Sequence, residues 1–341
     1  ANKQGGGFGD SEIYMRGFDN SNIAMMVNGV PMNDMEWGGV YWSNWAGLSD
    51  VARSIQTQRG LGASKVSAPS VGGTINIVTR NLDAKKGGFL SYGMGNDGMN
   101  KILFSVSSGI TKNGWAFTLM GGKNWGNGYI QGTAFEGYNW FASISKRINE
   151  EHQLTLTAFG APQWHDQRNS SYGGLTIADW KMVETVYGVK DHKYNPTFGY
   201  RSNGESYNSY RNSYHKPLIS LNHQWQINSK SSLSTSLYVS LGRGSGFSGQ
   251  GNTEFSPYSY TSWRGAYKGT LYDTFRRSDG TFDYAAIEEI NRTSEYGSAL
   301  IAARSNNSHD WYGLLSTYTT KIGQYLDFYG GIDYRFYKGV H

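Results

Sequence analysis

From about residue 86 onward the chain alternates apolar and polar positions with a period of two. In 136–147, Tyr138, Trp140, Ala142 and Ile144 share one face while Asn139, Ser143, Ser145 and Arg147 share the other. In 231–243, Leu233, Leu237, Val239 and Leu241 oppose Ser234, Ser236, Tyr238 and Ser240. In 325–337, Leu326, Phe328, Ile332, Tyr334 and Phe336 oppose Asp327, Asp333 and Arg335. Such alternation gives a strand one apolar and one polar face. It weakens over 308–321, where Tyr and Leu fall on both faces. The pattern predicts nine strands, near 87–95, 99–109, 114–125, 136–147, 151–161, 215–227, 231–243, 308–321 and 325–337. Most reach the roughly 9–11 residues with which a tilted strand crosses a bilayer, against about five or six for a strand in a globular protein.

The predicted connections sharpen this reading. After the first hairpin they run ITKN (110–113), ten residues, INE (148–150), 53 residues (162–214), NSK (228–230), 64 residues (244–307) and IGQ, alternating short and long. A soluble β-sandwich, the competing architecture, has no reason to place every long loop at one end. Outer-membrane barrels have short periplasmic turns and long extracellular loops, and their sheets close because lipid leaves no partner for an open edge. Nine is odd, so an even-stranded bacterial barrel would need further strands. The expectation for 85–341 is therefore an incomplete, all-β, transmembrane antiparallel barrel.

Residues 1–84 read differently. SEIYMRG (11–17) and IAMMVNGVPM (23–32) are predicted as short strands, the second split by Asn28-Gly29, a strong hairpin signal. The loop 33–47 follows with Trp37, Tyr41, Trp42 and Trp45, then VARSIQTQRG (51–60) and TINIVTR (74–80). Together they predict a small mixed sheet with two long Gly-rich loops.

Composition agrees. The 341 residues include 46 Gly, 25 Tyr, 15 Phe and 11 Trp with only 17% charged, which excludes a disordered chain. There is no cysteine, hence no disulfide framework and no thiol metal site. The mean hydropathy is −0.55, and no stretch approaches the roughly 18 apolar residues of a membrane helix. That test does not apply to barrel strands, whose alternation averages out as polar. The net charge of +5 is scattered, whereas a nucleic-acid face needs clustering. His215 and His223 share a strand face, but eight residues at about 3.3 Å each keep them some 26 Å apart, too far to share a metal. GRGSGFSGQG (242–251) lacks the Lys-Ser/Thr of a phosphate loop and reads as a plain loop. No Ser/His/Asp or paired-carboxylate constellation has useful spacing, so neither catalysis nor a cofactor is expected.

Several motifs in 11–80 carry a resemblance. Met15-Arg16-Gly17, Asn28-Gly29-Val30-Pro31, Asp50-Val51-Ala52-Arg53-Ser54-Ile55, Arg59-Gly60 and Gly72-Gly73-Thr74-Ile75-Asn76-Ile77 occur in the order of the plug domain of TonB-dependent outer-membrane receptors. Asn28 stands where that family usually has Asp, and Ala52 and Gln56 replace usual acids. The loop from Pro31 to Gly47 further resembles SusC-like receptors. The resemblance implies a mixed α/β plug (1–84, without its earlier part) feeding about nine strands of an expected 22-stranded barrel, in the outer membrane of a Gram-negative bacterium. It implies proton-motive-force-driven import of a bulky, scarce nutrient, with TonB engaging an N-terminal box absent from this chain. Outer-membrane lipid and a SusD-like surface lipoprotein are the further partners implied. A surface-binding or assembly protein that reuses the fold without transport is the rival.

By the same resemblance, Arg16 and Arg59 would lock the plug to barrel glutamates. Asn33, Asp34, Trp37, Tyr41, Trp42 and Trp45 would meet substrate on the plug's apical loop, or wedge the plug against the wall. In the first long loop Trp164, Tyr172, Trp180, Tyr194, Tyr200, Tyr207 and Tyr210 are the aromatic candidates. A helix is predicted over 176–188, capped by Thr176, with Ile177, Trp180 and Val183 on one face. Lys/Arg and Asp/Glu nearly cancel in both long loops, six against five in 162–214 and six against seven in 244–307. That balance favours a neutral glycan or peptide over a charged chelate.

Overall fold

The computed structural model describes residues 8–59, 71–82, 84–168, 175–251, 266–267, 270–271, 275–295, 297–298 and 300–341. The first unit is a mixed four-stranded sheet of order β2-β1-β4-β3, with β1 at Ile23–Val27, β2 at Val30–Pro31, β3 at Ala52–Arg59 and β4 at Gly73–Thr79. A short helix α1 (Leu48–Val51) leads into β3. The hairpin falls where Asn28-Gly29 predicts it, both residues having positive φ (51° and 82°) as a two-residue primed turn requires. Asn28 also ties the hairpin to the next strand: its Nδ2 donates to Thr79 Oγ1 at 2.9 Å, and its Oδ1 accepts from the Thr79 N–H at 2.9 Å. The expected strand at 11–17 is not formed. It is reduced to isolated bridges, at Ser11 and between Met15 and Phe18 around a turn in which Arg16 is left-handed (φ 55°).

A second sheet follows. Its strands are β5 (Gly87–Met94), β6 (Asn100–Ser107), β7 (Trp115–Gly126), β8 (Phe135–Arg147), β9 (His152–Gly160) and β10 (Gln163–Asp166). After helix α2 (Ile177–Tyr187) and the short strands β11 (Phe198–Tyr200) and β12 (Ser206–Asn208) come β13 (Arg211–His215), β14 (Leu218–Gln226) and β15 (Ser231–Gly251). A short pair, β16 (Ala266–Tyr267) and β17 (Thr270–Leu271), precedes β18 (Phe282–Asp283), helix α3 (Tyr284–Thr293), β19 (Leu300–Ile322) and β20 (Leu326–Val340).

The wall strands are consecutive antiparallel neighbours. β9 and β10 keep one register against β8, Trp140 facing Gly160 and Gly137 facing Gln163. β13 and β14 likewise keep one register against β15. The breaks fall at Pro162 and Pro217, which have no N–H for the ladder. Counted through these breaks, the described residues form the nine wall strands that the alternation predicts.

The loop expected at 242–251 is instead strand. β15 pairs with β19 up to Gly251 opposite Leu300. Its glycines leave room for neighbouring side chains: a Cβ on Gly242 would lie 2.5 Å from the His309 ring, and one on Gly244 2.0 Å from the Tyr214 ring. The glycine run is a cross-strand packing pattern, not a turn signal. The second long loop is accordingly shorter than expected, while β10 and β13 take residues from the two ends of the first.

Facing follows the predicted parity. Ile102, Phe104 and Val106 of β6 and Phe117 and Leu119 of β7 are exposed outward, while Leu103, Ala116, Thr118 and Met120 are buried inward. Among the described residues no helix is long and apolar enough to cross a membrane, which says nothing about strands. The outward face forms the apolar band of a barrel. The inward face packs on the plug: Ile23, Met25 and Val27 of β1 share one hydrophobic cluster with Phe141, Phe159 and Trp311 of the wall.

Candidate functional site

At the long-loop end, the plug's apical loop (33–47) faces the inner side of β13, β19 and β20. Between them lies a cavity of about 260 Å³, lined by Asp34, Glu36, Trp37 and Tyr41 of the plug and by Lys216, His309 and Tyr337 of the wall. Asp34 organises the loop and the charge. Its Oδ1 accepts from the Glu36 and Trp37 N–H groups at 3.0 and 3.3 Å, while Oδ2 pairs with Lys216 Nζ at 3.2 Å. Lys216 also lies over the Tyr41 ring, 5.6 Å from its centroid. Burial, reinforced by the Asp34 carboxylate, pushes the Tyr41 hydroxyl up to about 12, so it stays a neutral donor. Trp37 and Tyr41 tilt together with centroids 4.9 Å apart and are about two-fifths exposed. Glu36 accepts from the Tyr337 hydroxyl at 3.2 Å and contacts His341 Nε2 at 3.1 Å. Two aromatic faces beside fixed hydrogen-bonding groups suit a ring-bearing polar ligand.

The sequence-derived residues divide here. Asp34, Trp37 and Tyr41 line the cavity. Asn33 is buried and committed internally: Oδ1 accepts from the Met25 N–H at 2.7 Å, and Nδ2 donates to the Ile23 and Gly38 carbonyls at 2.9 and 2.7 Å. Trp45 is a wedge, buried against Phe159 at 5.2 Å between centroids. Trp42 packs against the same core.

Trp164 faces away from His165, its inward neighbour, and carries the Arg211 guanidinium over its ring at 4.2 Å. Trp180 sits on α2 beside Tyr194. Neither reaches the cavity. Arg16 is exposed, and the Arg59 side chain and Tyr172 lie outside the described residues. The described plug–wall ties are others: Lys101 Nζ of β6 meets both Asp50 oxygens at 2.7 and 2.8 Å, besides the Asp34–Lys216 pair. His223 stacks on His152, with Nδ1 and Nε2 3.0 Å apart, and not on His215.

The wall residues Lys216, His309 and Tyr337 were missed by sequence reasoning. Their only signal is inward parity, which they share with dozens of others.

Above the site the two long loops fold together. Helix α2 forms as predicted: Thr176 Oγ1 accepts from the Asp179 N–H at 3.1 Å and the Asp179 carboxylate accepts from the Thr176 N–H at 2.9 Å, a reciprocal cap. Val183 is buried, but Ile177 in the first turn is exposed, contrary to its expected place beside Trp180 and Val183. β11 runs parallel to β18 across the loops, and Glu288 of α3 accepts from Arg201 at 2.7 Å and from the Ser202 N–H at 2.9 Å.

Comparison with known proteins fits this architecture. The profile of the family described as TonB-dependent Receptor Plug Domain matches residues 1–74. Across 98% of the chain the fold follows the ferric-catecholate import receptor Fiu of E. coli K12 in its open form, with a TM-score of 0.63, 14% identity and 45% of that structure covered. The match of residues 1–74 to the plug domain, together with this shared fold, supports a TonB-dependent outer-membrane receptor. The unliganded ferric citrate transporter FecA is similar over 99% of the chain and 43% of its own length, at TM-score 0.60 and 16% identity. In sequence, the receptor is 25% identical over 171 residues to the vitamin B12 transporter BtuB of Vibrio vulnificus, covering 48% of this chain and 27% of that protein. It is 30% identical over 180 residues to BtuB of Photobacterium profundum, covering 49% and 28%. The chain thus spans under a third of the curated relatives it matches.

Proposed function

We propose that the receptor imports a bulky, scarce nutrient across the outer membrane, with the apical cavity as its binding site and the plug as its gate. The carrying observation is the convergence of plug and wall on Asp34–Lys216, flanked by Trp37 and Tyr41. A ligand seated there touches both bodies and so bears on how they sit together. TonB, coupled to the proton-motive force, would pull the plug through added-strand pairing, in which main-chain hydrogen bonds supply affinity. Arg16 and Arg59 remain the proposed plug side of a lock to glutamates elsewhere in the barrel.

The near-neutral loops and the aromatic pair favour a glycan or a peptide as substrate. The apolar outer face would meet outer-membrane lipid. A SusD-like lipoprotein would seat on the loop cap carrying α2 and α3, and its copurification from outer membranes tests that partnership. Uptake by cells carrying the full-length receptor tests the function. Uptake should collapse when an uncoupler removes the proton-motive force while surface binding persists, and unchanged uptake would show a passive pore.

A further inference from the structure

The inner face of β15 and β19 continues downward from the apical cavity. Ser240 and His309 line a small space beside it that also touches Asp34, Tyr41 and Lys216. One inward step below, Tyr238 and Trp311 meet edge to face, with centroids 5.6 Å apart and an interplanar angle of 86°. Below them opens a second cavity of about 430 Å³, between Gln56, Gln58 and Asn76 of the plug and Ser234, Ser236 and Thr317 of the wall. No charged side chain lines it among the described residues. A third cavity of about 440 Å³ against β5–β7 is of opposite character, ringed by Arg53, Arg80, Lys85 and Lys86.

Two features of the aromatic pair bear on this path. Both residues are 4% exposed, and the Tyr238 hydroxyl and Trp311 Nε1 have no partner beyond a weak contact with each other. A buried polar group left unpaired destabilises the closed state and calls for a physical reason. A passing hydroxyl, amide or water would supply the missing partner. The Tyr238 ring also lies flat in the space left by Gly313, where a Cβ would come within 2.0 Å of its Cζ. The wall is hollowed where the ring must lie back.

We propose that Tyr238 and Trp311 form the constriction of the solute path, and that below them the solute runs along the β15–β19 wall, a lane fitted to uncharged molecules rich in hydroxyl or amide groups. This rests on the import reading above. The Asp333–Arg335 pair, joined at 2.6 Å, flanks Tyr238 at the constriction, but the cavity below it offers a multiply charged solute no countercharge, whereas its Ser, Thr and amide side chains match a neutral polar solute group by group.

The test uses cells with the full-length receptor carrying one introduced cysteine, Ser234→Cys in the lane or Thr118→Cys in the cationic cavity, and otherwise cysteine-free. The probe is an uncharged polyethylene glycol maleimide too large for porins, added outside. Ser234→Cys should be labelled in energised cells and Thr118→Cys should not. Adding Trp311→Ala should raise the Ser234→Cys rate about tenfold, the effect of lowering a barrier by ~1.4 kcal/mol. Gly313→Ala, which drives the Tyr238 ring into the path, should lower it. Labelling of Thr118→Cys in place of Ser234→Cys, no labelling of Ser234→Cys, or rates unmoved by both variants would overturn the proposal. Equal labelling with and without an uncoupler would instead sink energised import, and the opposed effects of the two variants would still report the constriction.

Discussion

Replacing Lys216 by methionine isolates the tie between plug and wall. At 3.2 Å and an effective dielectric constant of about 20, the gross attraction of the Asp34–Lys216 pair is about 5 kcal/mol. The side chains are only 15% and 12% exposed, so Lys216→Met strands Asp34 as a largely buried, unmatched carboxylate. Such losses run to about 3–5 kcal/mol. Because the pair borders an open cavity, the low end applies, ~3 kcal/mol, or somewhat over a hundredfold in an opening equilibrium. Asp34→Asn in the same chain removes the unmatched charge and keeps an oxygen for the Glu36 and Trp37 N–H groups. The double variant should therefore return to within about tenfold of the parent, since replacing both partners of a buried pair is often near neutral. The assay is hydrogen exchange of the β1 and β4 amides in the full-length receptor, read as a double-mutant cycle. Exchange in Lys216→Met that matches the parent, or a double variant no better than the single, would mean that the pair does not hold plug to wall.

Other substitutions separate binding from packing. Trp45→Ala should destabilise plug seating by about 3–5 kcal/mol through the cavity it leaves, whereas Trp37→Ala should leave plug exchange unchanged and weaken ligand binding, measured by calorimetry. Asn28→Ala removes two side-chain hydrogen bonds to Thr79 and an αL-tolerant residue, which should cost about 2 kcal/mol and show as faster exchange in β2. In the loop cap, hydrogen bonds from Ser202, then Arg201, hold the Glu288 carboxyl down to about 2 from an ordinary 4.5. Its contribution is complete above about 4.5 and is lost as pH falls through about 2. Proteolysis of the cap by an acid protease should rise across that window and shift little with pH in Glu288→Gln.

Much of the wall was legible because one face is apolar and turned outward and the other lies on the plug, so the period of two survives in residues such as Tyr138, Ala142 and Ile144 against Ser143 and Ser145. The hairpin at Asn28-Gly29 and the cap at Thr176 were legible because each is a local geometry with its own residue preference. The errors share another cause. Gly242 and Gly244 looked like a loop because the residues that fill their space, His309 and Tyr214, lie far away in sequence. SEIYMRG looks like a strand locally, yet among the described residues it pairs only at isolated bridge positions. Trp164 and Trp45 are as aromatic as Trp37, and only tertiary placement makes one a rim residue, one a wedge and one a cavity wall. Lys216, His309 and Tyr337 reach the site from strands whose contact with the plug loop no local pattern encodes.

The most direct test is electron cryomicroscopy of the full-length receptor isolated from outer membranes with its native ligand bound. The plug should be seated in the lumen, with ligand density in the apical cavity against Trp37 and Tyr41 and within reach of Asp34 and Lys216. Ligand held only on the loop cap above an empty cavity, or a lumen without the plug, would contradict this arrangement.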